Sequence, residues 1–78
     1  MIRPILQRIG LTEGEIKVYL SLLEIGSATS GKVTRSCGIS GSKVYEVLDR
    51  LNKKGLANYV IKNKVKHFEA APPYKIID

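Results

Sequence analysis

A single cysteine, Cys37, leaves this chain without any possible intramolecular disulfide, a composition that suits a reducing, cytoplasmic setting. No apolar run approaches the roughly 20 residues that a membrane span requires. The N-terminal MIRPILQRIG has neither a long apolar region nor a small-residue cleavage site, so neither a signal peptide nor a membrane partner is expected. One cysteine and one histidine, Cys37 and His67, cannot supply a zinc set, and the thiol reads as a small buried side chain. No carboxylate pair and no nucleophile with its base stand at a workable spacing, so the chain is not expected to be an enzyme or to hold a cofactor. Gly26, Gly31 and Lys32 match the start of a phosphate-binding loop, but Val33 replaces the hydroxyl residue that should follow, and a helix rather than a strand precedes it. No repeat, linker or low-complexity segment divides the 78 residues, which are read as one small domain, residues 1–78. A core this small gains from a partner, and a homodimer is expected.

Acidic residues are scarce in one place only. Residues 1–30 balance three basic against three acidic side chains, whereas residues 31–67 carry nine basic against two acidic ones. The excess behind the net charge of +6 therefore sits in the middle of the chain, as a partner that is a polyanion would favour.

Four apolar periodicities organise the sequence. Pro4 to Ile9 has the makings of a short covering helix. Thr12 with Glu15 forms a capping box, Leu11 and Ile16 a hydrophobic staple, and Ile16, Tyr19, Leu20 and Leu23 an inward stripe that Gly26 ends in a left-handed stop. Ser27 to Thr29 reads as a brief strand; Thr29 or Ser30 then caps a short helix with Val33 and Cys37 inward and Gly38 at its end. After the glycine-containing break Gly38-Ile39-Ser40, Ser40 caps a helix over residues 40–54 whose Val44, Val47, Leu48 and Leu51 recur at i, i+3, i+4 and i+7. From Leu56 the period changes to that of a β-hairpin with Asn63-Lys64 at its turn, Asn63 taking positive φ, and Pro72-Pro73 at its end. A three-helix core in this spacing, followed by a basic C-terminal β-hairpin as its wing, predicts an α+β winged helix-turn-helix.

The outer face of the 40–54 helix carries the functional expectation. Ser40, Gly41 and Ser42 are small residues at its tip, which lets a backbone come close. Opposite the apolar stripe lie Ser42, Glu46, Asp49 and Lys53, with Lys43 and Arg50 beside them. A major groove admits one such helix, N-terminal end first. Ser42, Lys43 and Glu46 are the base-edge candidates, and Arg50, Lys53, Lys32 and Arg35 the phosphate candidates. Lys62, Lys64 and Lys66 are expected to alternate on one face of the hairpin as a wing along the DNA backbone, while Asp49 pairs with Lys53 four residues on. Tyr45 is a phosphate donor or a flank residue packed on the core.

LTEGEIKVYLSLLEIGSATS, GISGSKVYEVLDRLNKKGL and FEAAPP resemble the N-terminal DNA-binding domain of the TrmB-like archaeal transcription regulators, over roughly residues 9–73. The most specific matches are Leu11-Thr12-Glu13, Lys17-Val18-Tyr19-Leu20, Ser42 through Leu48, and Lys54-Gly55-Leu56. The resemblance implies that Ser42, Lys43 and Tyr45 belong to a DNA-reading helix. Ser40 and Gly41 stand where the family commonly has proline and arginine, and Thr34 where it has a small alanine. Members commonly continue into a coiled coil or a sugar-binding domain, so no small-molecule effector is expected within these residues. The reading is a double-stranded-DNA-binding transcription regulator at the nucleoid. The alternatives are a winged helix used for protein interaction in a larger assembly and a sequence-blind DNA packager.

Overall fold

In the computed structural model, which describes residues 2–71, the elements follow as α1 (Ile2–Arg8), α2 (Glu13–Ile25), β1 (Ser27–Ala28), α3 (Ser30–Cys37), α4 (Gly41–Lys53), β2 (Ala57–Lys62) and β3 (Val65–Ala70). The strands form one antiparallel sheet in the order β1-β3-β2. This is the α+β winged helix-turn-helix, with α1 laid over the core through the fully buried Leu6.

Thr12 starts α2 with both halves of the capping box. Its hydroxyl accepts from the Glu15 N–H at 3.2 Å, and its own N–H donates to Glu15 Oε1 at 2.8 Å. The expected stripe on α2 is corrected in part. Ile16 and Tyr19 are buried, but Val18 and Leu22 join them, while Leu20 is half-buried and Leu23 is 37 % exposed. Because α2 packs on α1, α3, α4 and the sheet at once, its buried arc is wide and centred one position away from the expected row. Gly26 ends α2 at φ +95° and ψ −98°, a glycine conformation but not the left-handed helical one expected.

One six-residue pattern ends two helices. In Leu6-Gln7-Arg8-Ile9-Gly10-Leu11 the Leu11 N–H donates to Leu6 O and the Gly10 N–H to Gln7 O; in Leu51-Asn52-Lys53-Lys54-Gly55-Leu56 the same pair of bonds runs from Leu56 to Leu51 and from Gly55 to Asn52. These are Schellman motifs, and Gly10 (φ +93°) and Gly55 (φ +78°) supply the positive φ they need. The leucines at both ends of each pattern are buried, so each stop also closes the core.

Thr29 caps α3 by accepting from the Lys32 N–H, and Gly38 ends it in the left-handed conformation. Cys37 is half-buried against the core rather than fully buried. The α3–α4 crossing accommodates Thr34 because its hydroxyl turns back to donate to Ser30 O at 2.9 Å. Gly41 lies opposite, where even an added Cβ would stand 3.9 Å from Thr34 Oγ1.

Two long-range links fix the ends of the fold. Buried Tyr19 donates its hydroxyl to Ala71 O at 2.7 Å, tying α2 to the residue after β3; burial raises the phenol above its ordinary pKa. Glu15, 1 % exposed, accepts from Lys54 Nζ at 2.9 and 3.2 Å, joining the start of α2 to the end of α4. Burial pushes the Glu15 carboxyl up, but the Thr12 N–H and the Lys54 ammonium outweigh it and hold the carboxyl below its ordinary value.

Because the folded value lies below the unfolded one, the stability from Glu15 is complete above about pH 4.5 and is lost as pH falls through the lowered folded value. Glu15→Gln keeps a capping side chain and removes the charge, so it should cost about 1–2 kcal/mol at pH 7. Urea denaturation from pH 7 to pH 3 should show that deficit shrinking below about pH 4.5. A deficit that is constant with pH would mean that the ion pair contributes nothing.

Candidate nucleic-acid interface

The apolar side of α4 is used up by the core: Val44, Val47, Leu48 and Leu51 are all buried. Ser42, Lys43, Glu46, Asp49, Arg50 and Lys53 are exposed, as is Gly41 at the tip. Ser40 occupies the N-cap position in extended backbone, but its hydroxyl makes no capping hydrogen bond, which corrects the expected cap. The first N–H groups of α4 therefore have no side-chain partner from Ser40.

Most of the charge on this face is paired within the helix. Arg50 meets Glu46 at 2.6 Å, and Lys53 meets Asp49 at 3.2 Å as the spacing predicts. The Glu46–Arg50 pair was not anticipated, although its i, i+4 spacing is written in the sequence. Lys43 has no carboxylate partner among the described residues. Lys32 and Arg35 stand exposed on α3, likewise without a carboxylate partner among the described residues.

The wing turns through Asn63 (φ 51°) and Lys64 (φ 66°), a two-residue hairpin connection closed by the pair Lys62↔Val65. That register overturns the single basic face expected of the hairpin. Residues paired across the ladder share a face: Ile61 with Lys66, Tyr59 with Phe68, Lys62 with Val65, and Val60 with His67. Lys66 thus lies on the face that Phe68 turns to the helices, and Lys62 on the outer one. Spacing by two residues keeps a face only along one strand, and here the turn falls between these lysines.

Lys66 instead belongs to an aromatic cluster. Its ammonium lies 4.6 Å from the Tyr59 ring centroid and 5.5 Å from that of Tyr45. Phe68, buried beneath, meets Tyr45 edge-on at 6.2 Å and Tyr59 at 5.7 Å. The Tyr45 hydroxyl beside it holds the Lys66 ammonium above the ordinary lysine pKa. An open groove of about 320 Å³ runs between this cluster and the start of α3, lined by Thr29, Ser30, Tyr45, Lys64, Val65, Lys66 and Phe68. Of the expected site residues the groove gathers Tyr45, Lys64 and Lys66. Tyr59, Phe68, Thr29 and Ser30 were missed. The signal that would have found the two aromatics is the cross-strand register that a two-residue turn imposes.

The family described as "Sugar-specific transcriptional regulator TrmB" matches residues 6–74. TrmBL1 of Pyrococcus furiosus, an HTH-type sugar sensing transcriptional regulator, is 40 % identical over 55 residues, which are 70 % of this chain and 16 % of that protein. YrhO of Bacillus subtilis is 41 % identical over 51 residues, 65 % of this chain and 18 % of that protein. The chain thus spans less than a fifth of the length of these curated relatives. Among solved structures, TrmBL2, an archaeal chromatin protein with a novel mode of DNA binding, aligns with a TM-score of 0.85 over 99 % of this chain and 30 % of its own, at 22 % identity. The MarR C80S mutant of E. coli aligns with a TM-score of 0.81 at 18 % identity, over 97 % of this chain and 58 % of its own, so the likeness to both is one of fold.

Lys64 pays a conformational penalty at its positive φ that glycine would not. Lys64→Gly should raise stability by about 0.5 kcal/mol net of glycine's unfolded-state entropy, or roughly 2–4 °C in Tm. Calorimetry checks this; a lowered Tm would contradict the turn described.

Proposed function

Because this chain belongs to the TrmB family of transcriptional regulators, we propose that it binds double-stranded DNA and regulates transcription by occupying promoter DNA. The observation that carries the reading is the division of α4: its apolar side is wholly spent on the core, leaving a polar outer face with a small-residue tip beside a basic wing. The α4 tip enters the major groove with Ser42, Lys43 and Glu46 at base edges. Ser40 and Gly41 approach the backbone. Arg50, Lys53, Lys32 and Arg35 meet phosphates beside the groove, and Lys62 and Lys64 meet them along the wing. TrmBL2, whose fold this chain shares, is described as binding DNA, which supports the reading. Sugar sensing, attributed to TrmBL1, is not assigned to these residues, since they match 16 % of that protein. Residence at the nucleoid follows from the DNA partner, and no helix among the described residues is long and apolar enough to cross a membrane.

Binding to random duplex should weaken steeply with salt, with a log–log slope of about −4 to −5 for roughly five neutralised phosphates. A flat salt response would favour a protein-interaction module instead. Equal affinity for selected and random duplexes would favour a packager. Glu46→Ala frees Arg50 and removes a negative charge, so affinity for random DNA should rise and the salt slope steepen by about one. On a duplex selected from a random pool, the same variant should lose roughly 1–3 kcal/mol of discrimination at one base pair. Unchanged preference at every position would remove Glu46 from base reading.

The domain is also proposed to act as a homodimer, since a two-fold protein matches a two-fold operator. Ile9 after α1 and Leu23 on α2 leave apolar surface exposed, at 48 % and 37 %, away from the core. The sequence offers the first helix and the segment PPYKIID as dimer surfaces, and the second of these lies outside the described residues. Light scattering should give twice the 8.6 kDa chain mass at high concentration, and the duplex mass plus two chains on DNA; one chain under both conditions would exclude the dimer.

A further inference from the structure

We infer that the groove between the start of α3 and the wing is a seat for one backbone phosphate of duplex DNA, with Lys66 and Tyr45 as its built-in ligands. The inference rests on the DNA-binding reading and gives Lys66 a role different from that of the lysines at the wing's tip and outer face. Four observations converge on it.

First, Lys66 is the basic residue of the wing whose charge is held in place. Its ammonium is braced over the Tyr59 and Tyr45 rings, whereas Lys62 and Lys64 are exposed and have no such ring contact among the described residues. A cation held this way has already lost the freedom that a flexible lysine gives up on binding, so contact costs it less. Second, no carboxylate lies within salt-bridge distance of it among the described residues, in contrast to Arg50, Lys53 and Lys54; Asp49 acts on it only from farther off and is itself paired with Lys53. Ring faces satisfy a cation only in part, and an anion can still approach from the open side. Third, the groove holds donors and no acid. Its lining brings Tyr45, Lys64 and Lys66 together with Thr29 and Ser30 at the start of α3, and Val65 and Phe68 complete it. At about 320 Å³ it has room for a phosphodiester and its adjoining sugar atoms. Fourth, the placement fits. Tyr45 projects from the flank of α4 that faces the wing, about 70° round the helix from the outward row, by the geometry of about 100° per residue. A helix lying in a major groove has a sugar–phosphate strand along each flank, and the strand on this side passes the groove mouth.

Lys66 and Tyr45 therefore act as a pair: the ring orients the ammonium, and the phenol adds a neutral donor to the same phosphate. Lys64 meets a neighbouring phosphate and is independent of them.

The test uses the full chain and a duplex selected from a random pool, prepared as a set in which one phosphate at a time is replaced by an uncharged methylphosphonate. Wild type should lose about tenfold at one phosphate flanking the α4 contact, the loss expected of one charge-assisted contact. Lys66→Gln should lower affinity for the unmodified duplex by a similar factor, reduce the salt slope by about one, and make that same methylphosphonate silent. Tyr45→Phe should weaken binding severalfold with the salt slope unchanged and shrink the penalty at the same position. Lys64→Gln should silence a different phosphate. Lys66→Arg should restore most of the affinity, and thermal melting should show every variant folded. If Lys66→Gln leaves each methylphosphonate penalty at its wild-type size, or leaves the salt slope unchanged, the seat is wrong while DNA binding stands. If wild type itself shows no salt-dependent binding, both this seat and the DNA reading fall.

Discussion

The Glu15 carboxylate sits almost wholly out of water and answers to two separate parts of the chain, the Thr12 N–H that opens α2 and the Lys54 ammonium that follows α4. A buried carboxylate without partners would be expelled or protonated, so the two demands are met together or not at all. The C-terminal end of α4 is thereby set against the N-terminal end of α2. Two further bonds act on the same junction: Leu56 closes the Schellman motif on Leu51, and Asn52 donates to Ala57 O at 2.9 Å. With one end of α4 fixed in position and its apolar side packed, the other end, from Ser40 to Lys43, projects at a fixed angle. A helix that reads DNA needs that fixity, because a base contact is lost with an error of about an ångström.

At the other end of the sheet a second set of contacts does the equivalent for the wing. Phe68 pairs with Ala28 on one side and Tyr59 on the other, and its ring meets Tyr45 from α4. Helix and wing are therefore joined by aromatic packing rather than by a flexible connection. Tyr19, donating to Ala71 O, anchors the base of the same strand to the central helix.

The helices were legible because each of their determinants is local. The capping box, the i, i+3, i+4, i+7 row on α4 and the glycine stops need only neighbouring residues to operate, and they place the elements within a residue or two. The brief strand read at Ser27 to Thr29 is observed over Ser27–Ala28. What was misread depended on several elements at once. Leu23 belongs to the helical period of α2 but not to its buried arc, because that arc is decided by four packing partners. Ser40 has the residue type of a cap without the bond. Lys62, Lys64 and Lys66 look alike in sequence, yet the turn at Asn63-Lys64 sends Lys62 and Lys66 to opposite faces. The resemblance to TrmB-like domains carried over the fold and the place of α4 in it, and it said nothing of the aromatic cluster around Lys66.

The distribution of unpaired charge bears on how such a domain would separate attraction from reading. On α4 the pairs Glu46–Arg50 and Asp49–Lys53 cancel four charges, and Lys43 alone adds a net positive charge to the outer face. Among the described residues, cations without a carboxylate partner include Lys32 and Arg35 on α3 and Lys62, Lys64 and Lys66 along the wing. In the proposed docking, non-specific attraction, which grows with the number of phosphates neutralised, would come chiefly from those cations, while the α4 face proposed to meet base edges is close to neutral. Each i, i+4 pair is worth only about 0.3–0.5 kcal/mol, so a matching base edge or phosphate can open it at small cost. A mismatched sequence offers the same phosphates to Arg50 but no base-edge donor to Glu46, whose carboxylate is then left as a repulsive charge. In the proposed docking, Glu46 thus weakens binding to every wrong sequence through the same contact by which it reads the right one.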